Sequence, residues 1–251
     1  MSNTPEYNFV DALNAWCRIP VDDFDYLEAD DFLILHPSQR KELINIALSQ
    51  RFSPTEYRNR DQRLTNFMDP RRWENKVVMD FGCGLGLDGA VFSKFGSYVI
   101  YADIHPRTLQ CAQQVLAAWV GTIPTRLVIV SHDSPFWRME PNSIDLFWSF
   151  GCLHHTPKGP EIIRRACGCL KPDGECRILL YSDKLWIKQM ECEPPNDTVN
   201  HPRFAEWVRK LDSVGHYADW YNEDKIRKVT ADFADIAGIE YLGDNQFIGV
   251  V

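Results

Sequence analysis

No run of this sequence reaches the roughly 18 consecutive apolar residues that a membrane-spanning helix needs. Its first residues, MSNTPEYNFVD, lack both the basic start and the hydrophobic stretch of a secretory leader, so a cytoplasmic protein is expected. No CxxC pair occurs among Cys17, Cys83, Cys111, Cys152, Cys167, Cys169, Cys176 and Cys192, and no Cys/His spacing would close a tetrahedral metal site. Reduced thiols and no metal are the expectation. Cys167 and Cys169 make only a CxC, whose two side chains would leave a helix on different faces. An excess of positive charge is also missing. With 27 basic and 35 acidic side chains the net charge is -8, which repels phosphate backbones and disfavours a nucleic-acid partner. The one basic cluster, Arg58, Arg60, Arg63, Arg71 and Arg72, is interleaved with Glu56, Asp61 and Asp69 and reads as a solvated helical face. There is no internal repeat, low-complexity stretch or obvious linker.

What remains is a chain of 251 residues, 45% hydrophobic and 25% charged, enough for one α/β domain with additions. Three zones differ in texture. Residues 1–75 are rich in charge and helical in spacing, as in KELINIALSQRF, and read as a helical N-terminal cap. From Lys76 to Tyr181 short apolar runs alternate with helix-like segments, the mark of a parallel sheet with crossover helices. The expected strands are Val77–Phe81, Tyr98–Ala102, Leu127–Val130, Ile144–Trp148 and Arg177–Leu180. Leu109, Ala112, Leu116 and Trp119 recur at helical spacing behind Pro106, which suits a first turn. An aromatic, proline-containing insertion at about residues 183–222 is too long for a simple crossover. Beyond it, NEDKIRKVTADFADIAG reads as a last amphipathic helix stopped at Gly238, and IEYL and QFIGVV as a hairpin across Gly243, Asp244 and Asn245.

The most informative segment is VVMDFGCGLGLDGAVF, a strand running into a glycine cluster and then a helix. Such a loop lets backbone N–H groups approach a ligand where a β-carbon would intrude. Gly84, Gly86 and Gly89 also satisfy GxGxxG, so a nicotinamide or flavin dinucleotide must be weighed. Asp80, at the strand end just before Gly82, Gly84 and Gly86, separates the two readings. A carboxylate there repels a pyrophosphate but attracts an ammonium group.

DFGCGLG resembles the D/E-x-G-x-G-x-G motif of class I (Rossmann-like) methyltransferases that use S-adenosylmethionine (SAM). Other landmarks of that family match in order. Asp103 in YADIHP, with Ile104 beside it, stands where the family places the acid that binds the ribose hydroxyls. Asp133 and Ser134 resemble the loop that meets adenine, and Asn142, Ser143, Ile144 and Asp145 the polar turn opening the fourth strand. SFGCLHHTP, beginning at Ser149, resembles the segment beside the cofactor's methyl end. LKPDG resembles the turn before the fifth strand, common in the small-molecule branch that includes ubiquinone and menaquinone methyltransferases. The resemblance covers about residues 75–181. It implies a Rossmann-like, doubly wound, mostly parallel seven-stranded sheet, with residues 76–251 as the SAM-binding domain. The cofactor-binding residues it implies are Asp80, Gly82, Gly84, Gly86, Asp103, Ile104, Asp133, Ser134 and Ser149.

Each of these residues has a structural alternative: Asp80 and Asp103 as helix caps, Asp133 as an Asx-turn, and His154 and His155 as hydrogen-bonded frame residues. Methyl transfer from a sulfonium is mainly a matter of alignment. If the acceptor is a hydroxyl, His154 or His155 is the candidate base. Ser149, Phe150, Gly151 and Cys152 do not match the D/N-P-P-Y/F element of base amino-methylation, and Cys152 follows glycine rather than proline, unlike cytosine-C5 enzymes. The aromatics Trp186, Trp207, Tyr217, Trp220 and Tyr221 would either wall a pocket or form core. The expected activity is O-methylation of a small molecule or glycan, with a homodimer as an open option. An NAD(P)-dependent oxidoreductase and a non-catalytic partner protein are the alternatives.

Overall fold

The computed structural model describes residues 18–20, 26–121, 123, 125–130, 139–211 and 217–251. Two short strands, β1 (Arg18–Pro20) and β2 (Tyr26–Glu28), pair antiparallel ahead of helices α1 (Ala29–Ile34), α2 (Pro37–Phe52) and α3 (Arg63–Met68). The alternating core then supplies β3 (Val77–Phe81), α4 (Leu87–Lys94), β4 (Tyr98–Asp103), α5 (Pro106–Trp119), β5 (Arg126–Ile129), β6 (Ile144–Phe150), α6 (Gly159–Cys169) and β7 (Leu170–Tyr181). Helices α7 (Asp183–Met190), α8 (Phe204–Leu211) and α9 (Glu223–Thr230) precede the hairpin β8 (Ile239–Leu242) and β9 (Phe247–Val250).

The seven-stranded sheet has the order β5-β4-β3-β6-β7-β9-β8. Strands β3 to β7 run parallel, and β9 is antiparallel to both of its neighbours. This is the doubly wound, Rossmann-like sheet expected from the sequence. The direction of winding reverses between β3 and β6, the place in open α/β sheets where ligands gather at the strand C-termini.

The strands are apolar on both sides because both faces are covered. Val78, Tyr101, Leu146 and Trp148 join one core with residues of α1, α2, α4 and α5. Met79, Phe81, Ile100, Phe147 and Ile178 join a second with α6 and α9. The insertion has its own core, in which Trp186 and Trp207 are fully buried with Leu185, Met190, Phe204 and Trp220. These tryptophans are therefore packing residues, which answers the choice that their sequence positions left open.

Three expectations need correcting. The last helix stops at Thr230, well short of Gly238. Thr230 Oγ1 bonds back to the Ile226 carbonyl, Phe233 and Ile236 pack on the second core, and Gly238 and Val251 exchange backbone hydrogen bonds, so tertiary contacts redirect the chain. Strand β7 starts at Leu170, opposite Ile144. Residues Lys171–Gly174 bulge out before Glu175 meets Leu146, so LKPDG is a bulge within the strand rather than a turn before it. The basic cluster is not one helical face. Residues 57–62 form a 3₁₀ segment broken by left-handed Asp61 and Gln62, and Arg60, Arg63 and Arg72 pair with Asp244, Glu240 and Glu175. The cluster thus ties the N-terminal helices to the C-terminal hairpin and β7.

Asp145 organises the opposite end of the sheet from the glycine loop. Its buried carboxylate accepts from Val77 N–H at 2.8 Å and from Lys171 Nζ at 2.6 Å, joining β3, β6 and the bulge. These partners hold its carboxyl below the ordinary range despite the opposing effect of burial. Asp145→Ala would strand the Val77 N–H and is expected to cost about 2 kcal/mol, measured as a lower midpoint in urea unfolding with an unchanged slope.

Candidate active site at the strand C-termini

Strand β3 delivers Asp80 to the C-terminal edge, and the chain then turns through three glycines. Gly82, Gly84 and Gly86 have φ of 69°, 52° and 71°, a region that costs other residues about 1–2 kcal/mol. The N–H groups of Gly82 and Cys83 both reach the Ala102 carbonyl, at 2.8 and 3.2 Å, so the loop folds over the tip of β4. A β-carbon at Gly82 would strike Cys152, and one at Gly86 would press on Ala112 and Tyr101. At Gly84 it would meet nothing within 4 Å, and the same is true of Gly151, just beyond β6. Gly84 and Gly151 thus face open space beside the reversal of the sheet, whereas a β-carbon at Gly82 or Gly86 would collide with a neighbouring side chain.

The two strand-tip acids are buried and held by backbone donors. Asp103 accepts from Gly84 N–H at 3.0 Å and from His105 N–H at 3.1 Å. Its burial outweighs those donors and raises its pKa from 3.8 to about 6. Asp80 accepts from Gly89 N–H at 2.9 Å. Burial, then repulsion from Asp88, pushes its carboxyl well above the ordinary range. Burial likewise raises the Cys83 thiol and pushes that of Cys152 up to about 12, with Asp103 the next cause for each, so neither is a ready nucleophile.

The remaining expected residues divide. Ile104 follows Asp103 and packs, partly buried, against the second core. The Ser149 hydroxyl donates to the Phe81 carbonyl at 3.0 Å, joining the tips of β6 and β3. Asp133 and Ser134 lie outside the described residues. Among the described residues no group of three or more His, Cys, Asp or Glu could hold a metal ion.

His154 and His155 share one 3₁₀ turn, Leu153–His155, with ring centroids 4.4 Å apart. His154 is fully buried and stacked on Tyr181 at 3.6 Å, and its Nδ1 accepts from Tyr181 N–H at 3.0 Å. An accepting Nδ1 in a neutral ring places the proton on Nε2. Burial, followed by the charge of His155, keeps the ring well below the ordinary histidine range, and Nε2 has no hydrogen-bond partner among the described residues. With its Nδ1 engaged in this way, His154 presents a hydrogen-bond donor at Nε2. His155 has the other tautomer: its Nδ1 lies 3.0 Å from the Tyr217 carbonyl, which can only accept, so the lone pair is on Nε2.

Two residues at this edge have no site role in the sequence reading. Asp88, in the first turn of α4, accepts from Arg51 Nε and Nη2 at 2.8 and 2.5 Å and from Trp148 Nε1 at 2.8 Å. Its position one residue before Gly89 was a usable signal. Arg51, 37 positions upstream, had none.

A left-handed glycine loop with carboxylates at the tips of neighbouring parallel strands, beside the winding reversal, is the arrangement that the resemblance to SAM-dependent methyltransferases implies. Residues 79–178 match the family described as a methyltransferase domain, and the chain carries that domain and uses SAM as its cofactor. In fold it is similar to the PH0226 protein of Pyrococcus horikoshii OT3, with TM-score 0.59, 14% identity, and 79% of this chain and 92% of that one covered. It is also similar to a SAM-dependent methyltransferase of Aquifex aeolicus, with TM-score 0.54, 15% identity, and 86% and 97% covered. A third is a phosphoethanolamine N-methyltransferase 2 of Haemonchus contortus, in complex with phosphomonomethylethanolamine and S-adenosylhomocysteine, with TM-score 0.51, 18% identity, and 85% and 46% covered. At these identities the likeness is one of fold. The sequence matches no curated protein. No helix among the described residues is long and apolar enough to cross a membrane.

The raised pKa of Asp103 makes stability depend on pH. A carboxyl with a higher pKa folded than unfolded favours the folded state when protonated; its contribution is full below its unfolded value and is lost as pH rises through about 6. In thermal unfolding without cofactor, the stability of wild type relative to Asp103→Asn is expected to fall by up to about 3 kcal/mol between about pH 4 and about pH 7. A parallel pH dependence in the two proteins would refute it.

Proposed function

We propose that the cleft at Gly84 holds SAM and that the protein transfers its methyl group to a hydroxyl of a small molecule or glycan. Bound there, SAM supplies an electrophilic methyl on a sulfonium. The protein's part is to bind, align and remove a proton. The observation that carries the reading is the pairing of buried Asp80 and Asp103 with open space at Gly84. Carboxylates set there favour a cationic amino-acid end and ribose hydroxyls, and oppose the pyrophosphate of an NAD(P) oxidoreductase.

In this reading Asp103 accepts from the ribose, with Ile104 alongside. Asp80 faces the ammonium directly or through water, and Gly82, Gly84 and Gly86 bring backbone to the cofactor. Ser149 holds the tips of β3 and β6 together, and Asp133 and Ser134 are assigned to the adenine end. His155 is the base, because its basic nitrogen is Nε2, and His154 offers a proton to an acceptor atom with a lone pair. Residues 1–75 act as a cap and residues 76–251 as the catalytic domain, with the insertion at about 183–222 shaping the acceptor side. A small-molecule acceptor in the cytoplasm suits the acidic chain.

Calorimetry is expected to detect binding of S-adenosylhomocysteine and none of NAD; the opposite result overturns the cofactor site. A mass-detected methylation screen on host extract would find the acceptor. On that acceptor His155→Ala should lower turnover by about 100-fold with S-adenosylhomocysteine affinity unchanged, and full turnover in this variant would remove the base assignment.

A further inference from the structure

The buried carboxylate nearest to Asp80 that no family landmark explains is Asp88. A carboxylate this deep is costly unless its lone pairs are filled. Three donors fill them, Arg51 Nε, Arg51 Nη2 and Trp148 Nε1, and two of the three come from the last turn of α2. The fork favours arginine, since its planar guanidinium meets both carboxylate oxygens in a fixed geometry that a lysine ammonium does not supply. The same guanidinium lies 3.9 Å from the centroid of Phe150, the last residue of β6, whose ring meets Phe247 of β9 edge-on at 4.9 Å. One side chain from the N-terminal helices therefore touches α4 and the tip of β6.

The residue after Asp88 is Gly89, whose N–H holds the Asp80 carboxylate at 2.9 Å. A shift in the first turn of α4 would move that donor, and Asp80 with it. The positive charge of Arg51 also offsets part of the repulsion that Asp88 imposes on Asp80.

We infer that Arg51 is a positioning residue of the cofactor site: by clamping Asp88 it fixes the turn that orients Asp80, so that docking of α2 and binding of the cofactor are one coupled event. The inference rests on the proposed placement of SAM at the glycine loop. Coupling of this kind is reciprocal. If docked α2 favours the cofactor, the bound cofactor must protect α2.

The test uses the full chain and S-adenosylhomocysteine, with affinity from calorimetry and amide hydrogen exchange over residues 41–52, in wild type, R51K, R51Q, D88N and R51Q/D88N. Wild type is expected to bind, with slower exchange in 41–52 on binding. R51Q is expected to bind about tenfold more weakly and to lose that protection, and R51K to recover part of both. In the D88N background, removing Arg51 should change affinity little, because the group through which it acts is already altered. The inference is overturned if R51Q binds like wild type, or if R51Q weakens binding by the same factor with and without D88N, which would mean direct contact with the ligand. Should R51Q fail to fold, R51K decides, and wild-type affinity and protection in R51K overturn the inference. Absence of binding by wild type would overturn the cofactor site itself, and this coupling with it.

Discussion

An ionised carboxylate removed from water costs several kcal/mol unless hydrogen-bond donors or a cation replace the lost solvent. Asp80, Asp88 and Asp103 all face this constraint at one edge of the sheet. Each meets it differently: Asp103 with two backbone N–H groups, Asp80 with one, and Asp88 with a guanidinium and an indole. The architecture around them follows. The glycines are left-handed so that the N–H of Gly84 can reach Asp103, and α4 begins where it does so that the N–H of Gly89 can reach Asp80. The two less completely compensated acids are the ones beside the open space at Gly84. A ligand with a positive charge and hydroxyl groups would relieve them, which is how an unfavourable burial becomes affinity.

The histidine turn depends on the insertion in the same way. Tyr217 and Asp219, on the strand-like return of the insertion, bond to His155 and to the His154 carbonyl, and Tyr221 bridges to Ser182 at the end of β7. The insertion is thus anchored to the sheet by backbone contacts at the two histidines. Its tryptophans fill its own core. Changes in it would reach the two histidines through the register of 217–221.

Much of the sheet could be read from the chain because parallel strands covered on both faces are nearly continuous apolar runs. Val77–Phe81 was read to the residue, and β4 and β6 were read only one and two residues short at their C-terminal ends. Helix α5 was readable for a related reason, since its apolar stripe is narrow and its first turn carries Pro106. The places where reading failed are those where a distant partner outweighs local pattern. Residues 231–238 keep a helical spacing, but the pairing of Gly238 with Val251 and the packing of Phe233 and Ile236 pull them out of helix. Asp145 looked like part of a polar turn, yet its function depends on Val77 and Lys171, 68 and 26 positions away. The tautomers of His154 and His155 hinge on a backbone amide at Tyr181 and a carbonyl at Tyr217, neither visible in a histidine pair. Arg51 is the extreme case, an ordinary basic residue near a helix end until the fold brings it to Asp88.

The ion pairs of Arg60 and Arg63 with Asp244 and Glu240 also set an order of events during synthesis. The hairpin of β8 and β9 leaves the ribosome after every segment it pins, and β9 fills the gap between β7 and β8. Helices made before the sheet must wait, with part of their apolar faces wet, for a hairpin made after it. A nascent chain can therefore hold a nearly complete parallel sheet and still lack the hairpin that pins its N-terminal helices, which makes the interval before β9 emerges a time of exposure to aggregation.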